Sequence, residues 1–376
     1  MIRRTRVEVD LGAIVDNART IGAHVGTSVY AVVKADGYGH GALEVAARLE
    51  QAGAVAGFAV SLVEEGVALR DGGVRAPVLV MGPSQRGGEE EMLARALTPV
   101  ISEASELAPL AEAARRVGPS PVHLKVDTGM GRLGVAEHEA LALAQAAADA
   151  GLAVTGLMTH FALADTDDPS DEGCFTYAQL RCFAAVRARL LDAGVPLSVA
   201  HSANSSAAMM FPPSRLDLVR CGIALYGNGA WASDAQLARP RRAAMRLVTE
   251  VAQLRAVPRG HSVGYGRLWS APRDSLVAVL PIGYADGLPR RATSHASVLI
   301  RGHRCPLVGA ISMDIALADV TDVPGVGATD AVVLLGPGEG GGISAAEFAA
   351  WSGLTEYEVT CGVSKRVPRV YLEGAW

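Results

Sequence analysis

Cysteine is scarce in this chain and nowhere patterned. The five thiols, Cys174, Cys182, Cys221, Cys305 and Cys361, are odd in number and never spaced C-x-x-C. That spacing argues against a disulfide framework or a zinc site, so no metal is expected, and it favours reduced thiols in the cytoplasm. The net charge of −5 lacks the basic excess that nucleic acid or an anionic membrane calls for. No apolar stretch runs uninterrupted for the roughly 20 residues of a membrane span. The first six residues are basic, but Glu8 and Asp10 follow with no apolar segment behind them, so no secretory signal is expected. Repeats and a disordered tail are also missing. What remains is a 376-residue chain, half of it hydrophobic, with material for a large core and length for two domains.

Residues 1–10 read as a short strand, with Asp10 placed to cap the first helix. Apolar, strand-like runs then end near Lys34, Val60, Met81, Ile101, Val126, Met158, Ala200 and Arg220. Amphipathic stretches lie between them, among them residues 104–117, 136–150 and 176–193. Eight strand–helix units in about 230 residues match the size and rhythm of an eight-stranded β/α (TIM-type) barrel. A doubly wound open sheet would alternate in the same way, so the count favours a barrel without deciding the matter. After Arg239-Pro240-Arg241-Arg242 the period changes to two, and short strands separated by glycine- and proline-rich turns take over. One helix is expected there, over residues 344–352, and residues 336–342 read as a loop. The division is therefore a barrel over 1–240 and a mostly antiparallel β domain over 241–376.

The chain centres on V-V-K-A-D-G-Y-G-H-G, residues 32–41. Val29-Tyr30-Ala31-Val32-Val33 has no polar alternation and reads as a parallel strand buried on both faces. Lys34 closes it, Gly37, Gly39 and Gly41 punctuate a turn, and a helical period resumes at Ala42. A lone lysine at a strand end is ordinarily a surface group. Here glycines let backbone approach a ligand closely, and desolvation would favour the free, nucleophilic amine. Lys125-Val126-Asp127-Thr128-Gly129-Met130-Gly131-Arg132 stands at the fifth strand end, and Met158-Thr159-His160 at the sixth. His201-Ser202-Ala203-Asn204-Ser205-Ser206 follows the seventh, and Arg220-Cys221-Gly222-Ile223 ends the eighth. Taken singly these are turn glycines and helix-cap serines. Together, the last two form the loop pair where barrels commonly build a phosphate site from hydroxyls and N–H groups.

These segments resemble the signatures of the alanine racemases, fold-type III enzymes of pyridoxal 5′-phosphate. So do Val263-Gly264-Tyr265-Gly266, Pro281-Ile282-Gly283-Tyr284-Ala285-Asp286-Gly287, Ile311-Ser312-Met313-Asp314 and Glu356-Tyr357-Glu358-Val359. The resemblance implies a Schiff base on Lys34 and a cofactor held by Tyr38, His160, Ser205, Arg220, Gly222, Ile223 and Tyr357. Arg220 would face the pyridine nitrogen, with His201 behind it. Arg132 would reach the phenolic oxygen and the substrate carboxylate, and Lys125 would be carbamylated. Lys34 and Tyr265 would be the two catalytic bases of an L-/D-alanine interconversion through an external aldimine, supplying D-alanine for peptidoglycan. Tyr265, Met313 and Asp314 would come from the partner of a homodimer, with Tyr284 at the entrance. A serine or broader amino-acid racemase on the same fold, or a non-catalytic pyridoxal-phosphate carrier, are the alternatives. Carriers of that kind lack a β domain with its tyrosine.

Overall fold

The computed structural model describes residues 2–83, 87–374 and 376. Eight strands form the barrel: β2 (Ser28–Val32), β3 (Gly57–Val60), β4 (Val78–Val80), β5 (Leu97–Ile101), β6 (Pro121–Lys125), β7 (Ala153–Met158), β8 (Val199–His201) and β9 (Leu218–Cys221). Each pairs in parallel with its neighbour, and β2 also pairs with β9, giving the order β8-β7-β6-β5-β4-β3-β2-β9. The remaining seam is drawn together by backbone bonds from Asp217 to Ala200 and from Arg220 to Ala203 rather than by a ladder. The barrel is nearly closed, and the open-sheet alternative falls. Residues such as Phe58, Leu79, Ile101, Leu124 and Leu157 are buried within this half, as apolar runs without alternation demand.

The first strand does not join the barrel. β1 (Arg6–Asp10) lies between β10 (Met245–Glu250), antiparallel to it, and Arg369–Leu372, parallel to it. Val7 and Val9 are fully buried there, and both strand edges find backbone partners. The expected boundary near residue 240 therefore describes the chain only after Asp10. Asp10 does cap the first helix (Leu11–Val25), accepting from Ala13 N–H at 2.9 Å.

The second half is mostly antiparallel, in a seven-stranded sheet and a three-stranded one, with a two-stranded hairpin of Ser262–Val263 and Trp269–Ser270. Residues 336–342, expected as a loop, instead make the tip of a hairpin that pairs Gly336 with Ile343 and Gly338 with Gly341. The expected helix runs Ala345–Ser352. A second, Glu356–Cys361, was not foreseen, although Thr355 and Glu358 form the S/T-x-x-E capping box that announces it.

Candidate active site

Lys34 follows β2 into a left-handed turn. Ala35, Asp36, Gly37, Tyr38 and Gly39 all have positive φ, from 53° to 83°. For the three residues with a Cβ this costs roughly 1–2 kcal/mol each, so the turn persists only because its surroundings hold it. Glu65 accepts from Ala35 N–H at 2.6 Å, and Asp36 from Ala42 N–H at 2.9 Å. His40 Nδ1 faces two carbonyls, Gly37 O at 2.9 Å and Tyr38 O at 3.0 Å, so that nitrogen carries the proton. Arg369 Nε donates to Gly39 O at 3.1 Å. A Cβ on Gly39 would lie 2.2 Å from Thr360 O, which excludes any other residue. The turn aims Tyr38 across the barrel mouth, its hydroxyl 2.3 Å from where a Cβ on Gly222 would stand.

A cavity of about 460 Å³ opens at the C-terminal ends of the strands. Lys34, Tyr38, Lys125, Arg132, His160, Ser205, Arg220, Gly222, Ile223 and Tyr357 all line it. Among the described lining residues are four cationic side chains and no carboxylate, a composition that selects a ligand with more than one anionic group. The chain has three lysines, and two of them, Lys34 and Lys125, are here. Burial and then the charge of Arg132 lower the Lys34 pKa, against Glu65. Burial, Arg132 and Arg220 bring buried Lys125 to about 8, and its ammonium has no hydrogen-bond acceptor among the described residues. Lys125 is therefore partly a free amine near pH 8, and the Lys34 ammonium is disfavoured in the same direction.

Arg220 is the best-anchored group. Nη1 donates to His201 Nδ1 at 2.7 Å and to His201 O, and Nη2 donates to Thr159 O at 2.7 Å and Ser202 O at 3.0 Å. Nε–H has no acceptor among the described residues, on a side chain that lines the cavity. Because a guanidinium only donates, His201 Nδ1 must accept, so His201 carries its proton on Nε2 and gives it to His123 Nδ1 at 2.9 Å. Burial, reinforced by Arg220, brings His123 to about 4 and holds His160 and His201 well below the ordinary range. These rings are neutral in the fold and protonated in the unfolded chain below about pH 6.5. Stability should thus be fully present above pH 6.5 and fall as pH drops toward 4, by up to about 1.4 kcal/mol per pH unit for each ring. Melting curves across that window should show the slope, and His123→Gln should flatten it; an unchanged slope would count against the buried neutral chain.

At the other end of the cavity, Ser205 Oγ accepts from Gly222 N–H at 2.9 Å and Ala224 N–H at 3.4 Å, so its own proton points elsewhere. Ile223 N–H has no protein acceptor among the described residues. Ser205 hydroxyl, Ile223 N–H, Tyr38 and Tyr357 thus leave donors for an anion, while Gly222 N–H is already engaged. Asn204 and Ser61 also line the cavity and were missed. Asn204 was legible as the cap of Ser205–Met210, accepting from Ala207 N–H, and Ser61 as a residue just past the end of β3.

Tyr265, Tyr284, Met313 and Asp314 do not reach this cavity. They line a separate groove of about 830 Å³ on the β domain, where Tyr265 is 73% exposed at the tip of its hairpin. Within one chain the expected second base is remote from Lys34.

Two family models match the chain. The model of the alanine racemase N-terminal domain matches residues 9–229, and that of the C-terminal domain residues 244–371. The chain is 43% identical to an alanine racemase of Sorangium cellulosum, over 99% of this chain and all of the relative. It is 41% identical to that of Geobacter sulfurreducens, over 98% and 97%. Among solved structures, alanine racemase from D-cycloserine-producing Streptomyces lavendulae superposes with a TM-score of 0.91 at 33% identity, covering 100% and 98% of the two chains. The Bacillus anthracis alanine racemase with bound L-Ala-P gives 0.91 at 31%, covering 100% and 97%.

Proposed function

The chain belongs to the alanine racemase family and interconverts L- and D-alanine; from that premise we propose which residues carry the reaction and what they require. The observation that supports the assignment is the clustering of two lysines and two arginines, without a carboxylate among the described lining residues, in one 460 Å³ cavity at the barrel mouth. Its donors suit pyridoxal 5′-phosphate: hydroxyls and a free N–H for the phosphate at one end, amines for the aldehyde, and an Arg220 Nε–H for the ring nitrogen. When bound, that cofactor supplies an electron sink conjugated with the substrate α-carbon.

Tyr38, Ser205, Ile223 and Tyr357 would hold the phosphate, with Gly222 N–H fixing Ser205 Oγ and not donating to the ligand, and His160 would pack beside the ring. Arg220, always cationic, donates a hydrogen bond and disfavours a second positive charge opposite it. Arg132 takes the substrate carboxylate. Lys125, with a pKa of about 8 and no acceptor among the described residues, is carbamylated, which turns a like charge beside Arg132 into an anion that orients it. Carbon-13 bicarbonate should therefore give a protein-bound carbamate signal that Lys125→Arg removes. A protein that shows no such signal near pH 8 has a plain amine there.

Inversion at carbon needs a proton taken on one face and returned on the other. Lys34 Nζ handles the D-face and Tyr265 Oη the L-face. Since Tyr265 stands exposed on its own chain, it serves the partner's cavity with Met313 and Asp314, and Tyr284 lines the entrance. The working unit is a homodimer. No helix among the described residues is long and apolar enough to cross a membrane, and a cytoplasmic supply of D-alanine for peptidoglycan is the role this fits. Incubating the reconstituted protein with L-alanine in heavy water should show optical rotation decaying to zero as α-deuterium accumulates. Deuterium without loss of rotation would leave exchange, not racemisation, as the activity.

A further inference from the structure

The β domain carries an ion cluster built around a buried carboxylate that the chemistry above does not use. Asp286 closes the short turn Tyr284–Asp286, and its side chain is fully buried. The carboxylate accepts from Arg3 Nη2 at 2.7 Å and Nη1 at 3.0 Å, from Arg366 Nε at 2.7 Å and Nη2 at 3.5 Å, and from Gly283 N–H at 3.0 Å. Burial alone would favour its neutral form, yet the bonds from Arg3 and Arg366 hold its pKa below the usual carboxylate value. Arg366 then reaches outward, where Nη2 donates to Asp314 Oδ1 at 2.6 Å. One guanidinium thus joins the turn behind Tyr284 to the loop that bears Met313 and Asp314.

The two loops also touch through backbone. Tyr284 N–H donates to Ser312 O and Ala285 N–H to Met313 O, each at 3.0 Å. A Cβ on Gly283 would lie 2.3 Å from Ser312 O, so the contact leaves no slack. From the other side, Ser364 N–H donates to Asp286 O at 3.1 Å. An exposed Arg366–Asp314 pair alone would order little. Anchored on a buried carboxylate by charge-assisted bonds, the same arginine has a fixed direction.

We propose that Asp286, with Arg3 and Arg366, is a positioning residue that sets Tyr284 and Asp314 for the active site of a second copy of this chain. It acts in trans, on the site to which its β domain is lent and not on its own Lys34. The inference rests on the shared-site reading above. Without the Asp286 charge, Arg366 loses its anchor, Asp314 loses its direction, and substrate entry and placement suffer more than the proton transfers.

Mixed dimers of full-length chains bearing two affinity tags, reconstituted with pyridoxal 5′-phosphate, separate the alternatives. A Lys34→Ala chain paired with an unsubstituted one leaves a single working site, built from the unsubstituted barrel and the Lys34→Ala chain's β domain. Asp286→Asn added to the Lys34→Ala chain should lower kcat/KM for alanine about tenfold or more, chiefly through KM. Placed on the chain that supplies Lys34, it should cost no more than about twofold. Arg366 lies 42% exposed at the cluster's edge, so Arg366→Gln offers the same comparison should Asp286→Asn not fold, and Arg366→Lys should recover part of the loss. Equal loss in both placements, or loss only on the Lys34 side, overturns the proposal. The control is a Lys34→Ala chain paired with Tyr265→Phe. If that dimer is inactive, the shared site itself fails and takes this inference with it; if it is active, an equal loss from Asp286→Asn counts against the positioning role alone.

Discussion

Lys34→Ala is expected to lower racemisation by about 10⁴-fold or more, since it removes both the amine that would attach the cofactor and one of the two proposed bases. The prediction follows from the turn as much as from the lysine. Strained residues 35–38 are held by Glu65, Asp36, His40 and Arg369, and all that restraint serves to direct one side chain and Tyr38 into the cavity. Lys125 is the other lysine of the cavity, and its pKa, lowered to about 8 by burial and Arg132, makes it a competitor for the cofactor. Activity by itself would not tell the two apart. Borohydride reduction of the reconstituted protein followed by peptide mapping does, because the chain has three lysines and the third, Lys365, lies outside the cavity. The label should sit on Lys34 and be missing from Lys34→Ala. A label on Lys125 in the unsubstituted protein would reverse the two roles, and Arg132 would need a different partner.

Tyr265→Phe should reduce racemisation by about 10²- to 10⁴-fold, the range for one general acid–base group, and leave cofactor binding nearly intact. The loss should be lopsided. With Lys34 still in place, exchange of the D-alanine α-proton with solvent should survive far better than inversion, while exchange from L-alanine falls with it. Proton NMR in heavy water follows both isomers in one sample. The exposure of Tyr265 in the single chain sharpens the test: a hydroxyl at a hairpin tip, between Gly264 at φ 73° and Gly266 at φ 70°, has no chemistry to do on its own barrel. Equal loss of exchange from both isomers would mean that one base works both faces, and the tyrosine would become a packing residue.

Much of this molecule could be read along the chain. Apolar runs without alternation are a local property, and they located the barrel strands and put Lys34, Lys125, His160 and Arg220 at or near strand ends, where barrel chemistry gathers. The capping residue Asp10 and the period-two alternation after residue 240 were equally local. What depended on distant pairing was not legible. β1 looks like any short strand, and only its partners at Met245–Glu250 and Arg369–Leu372 assign it to the β domain. The hairpin at residues 336–342 needed its cross-strand register, and the left-handed turn after Lys34 needed Glu65, Thr360 and Arg369 around it. Likewise, the proton order along Arg220, His201 and His123 follows from which nitrogen faces which, and in the Asp286 cluster the bond from Arg3 to Asp286 spans 283 positions. Periodicity and residue type are set by neighbours in sequence, so they determined the elements and the chemistry available. Burial, charge balance and tautomer are set by neighbours in space, so the tertiary structure alone decided which of those groups share a cavity and in what state.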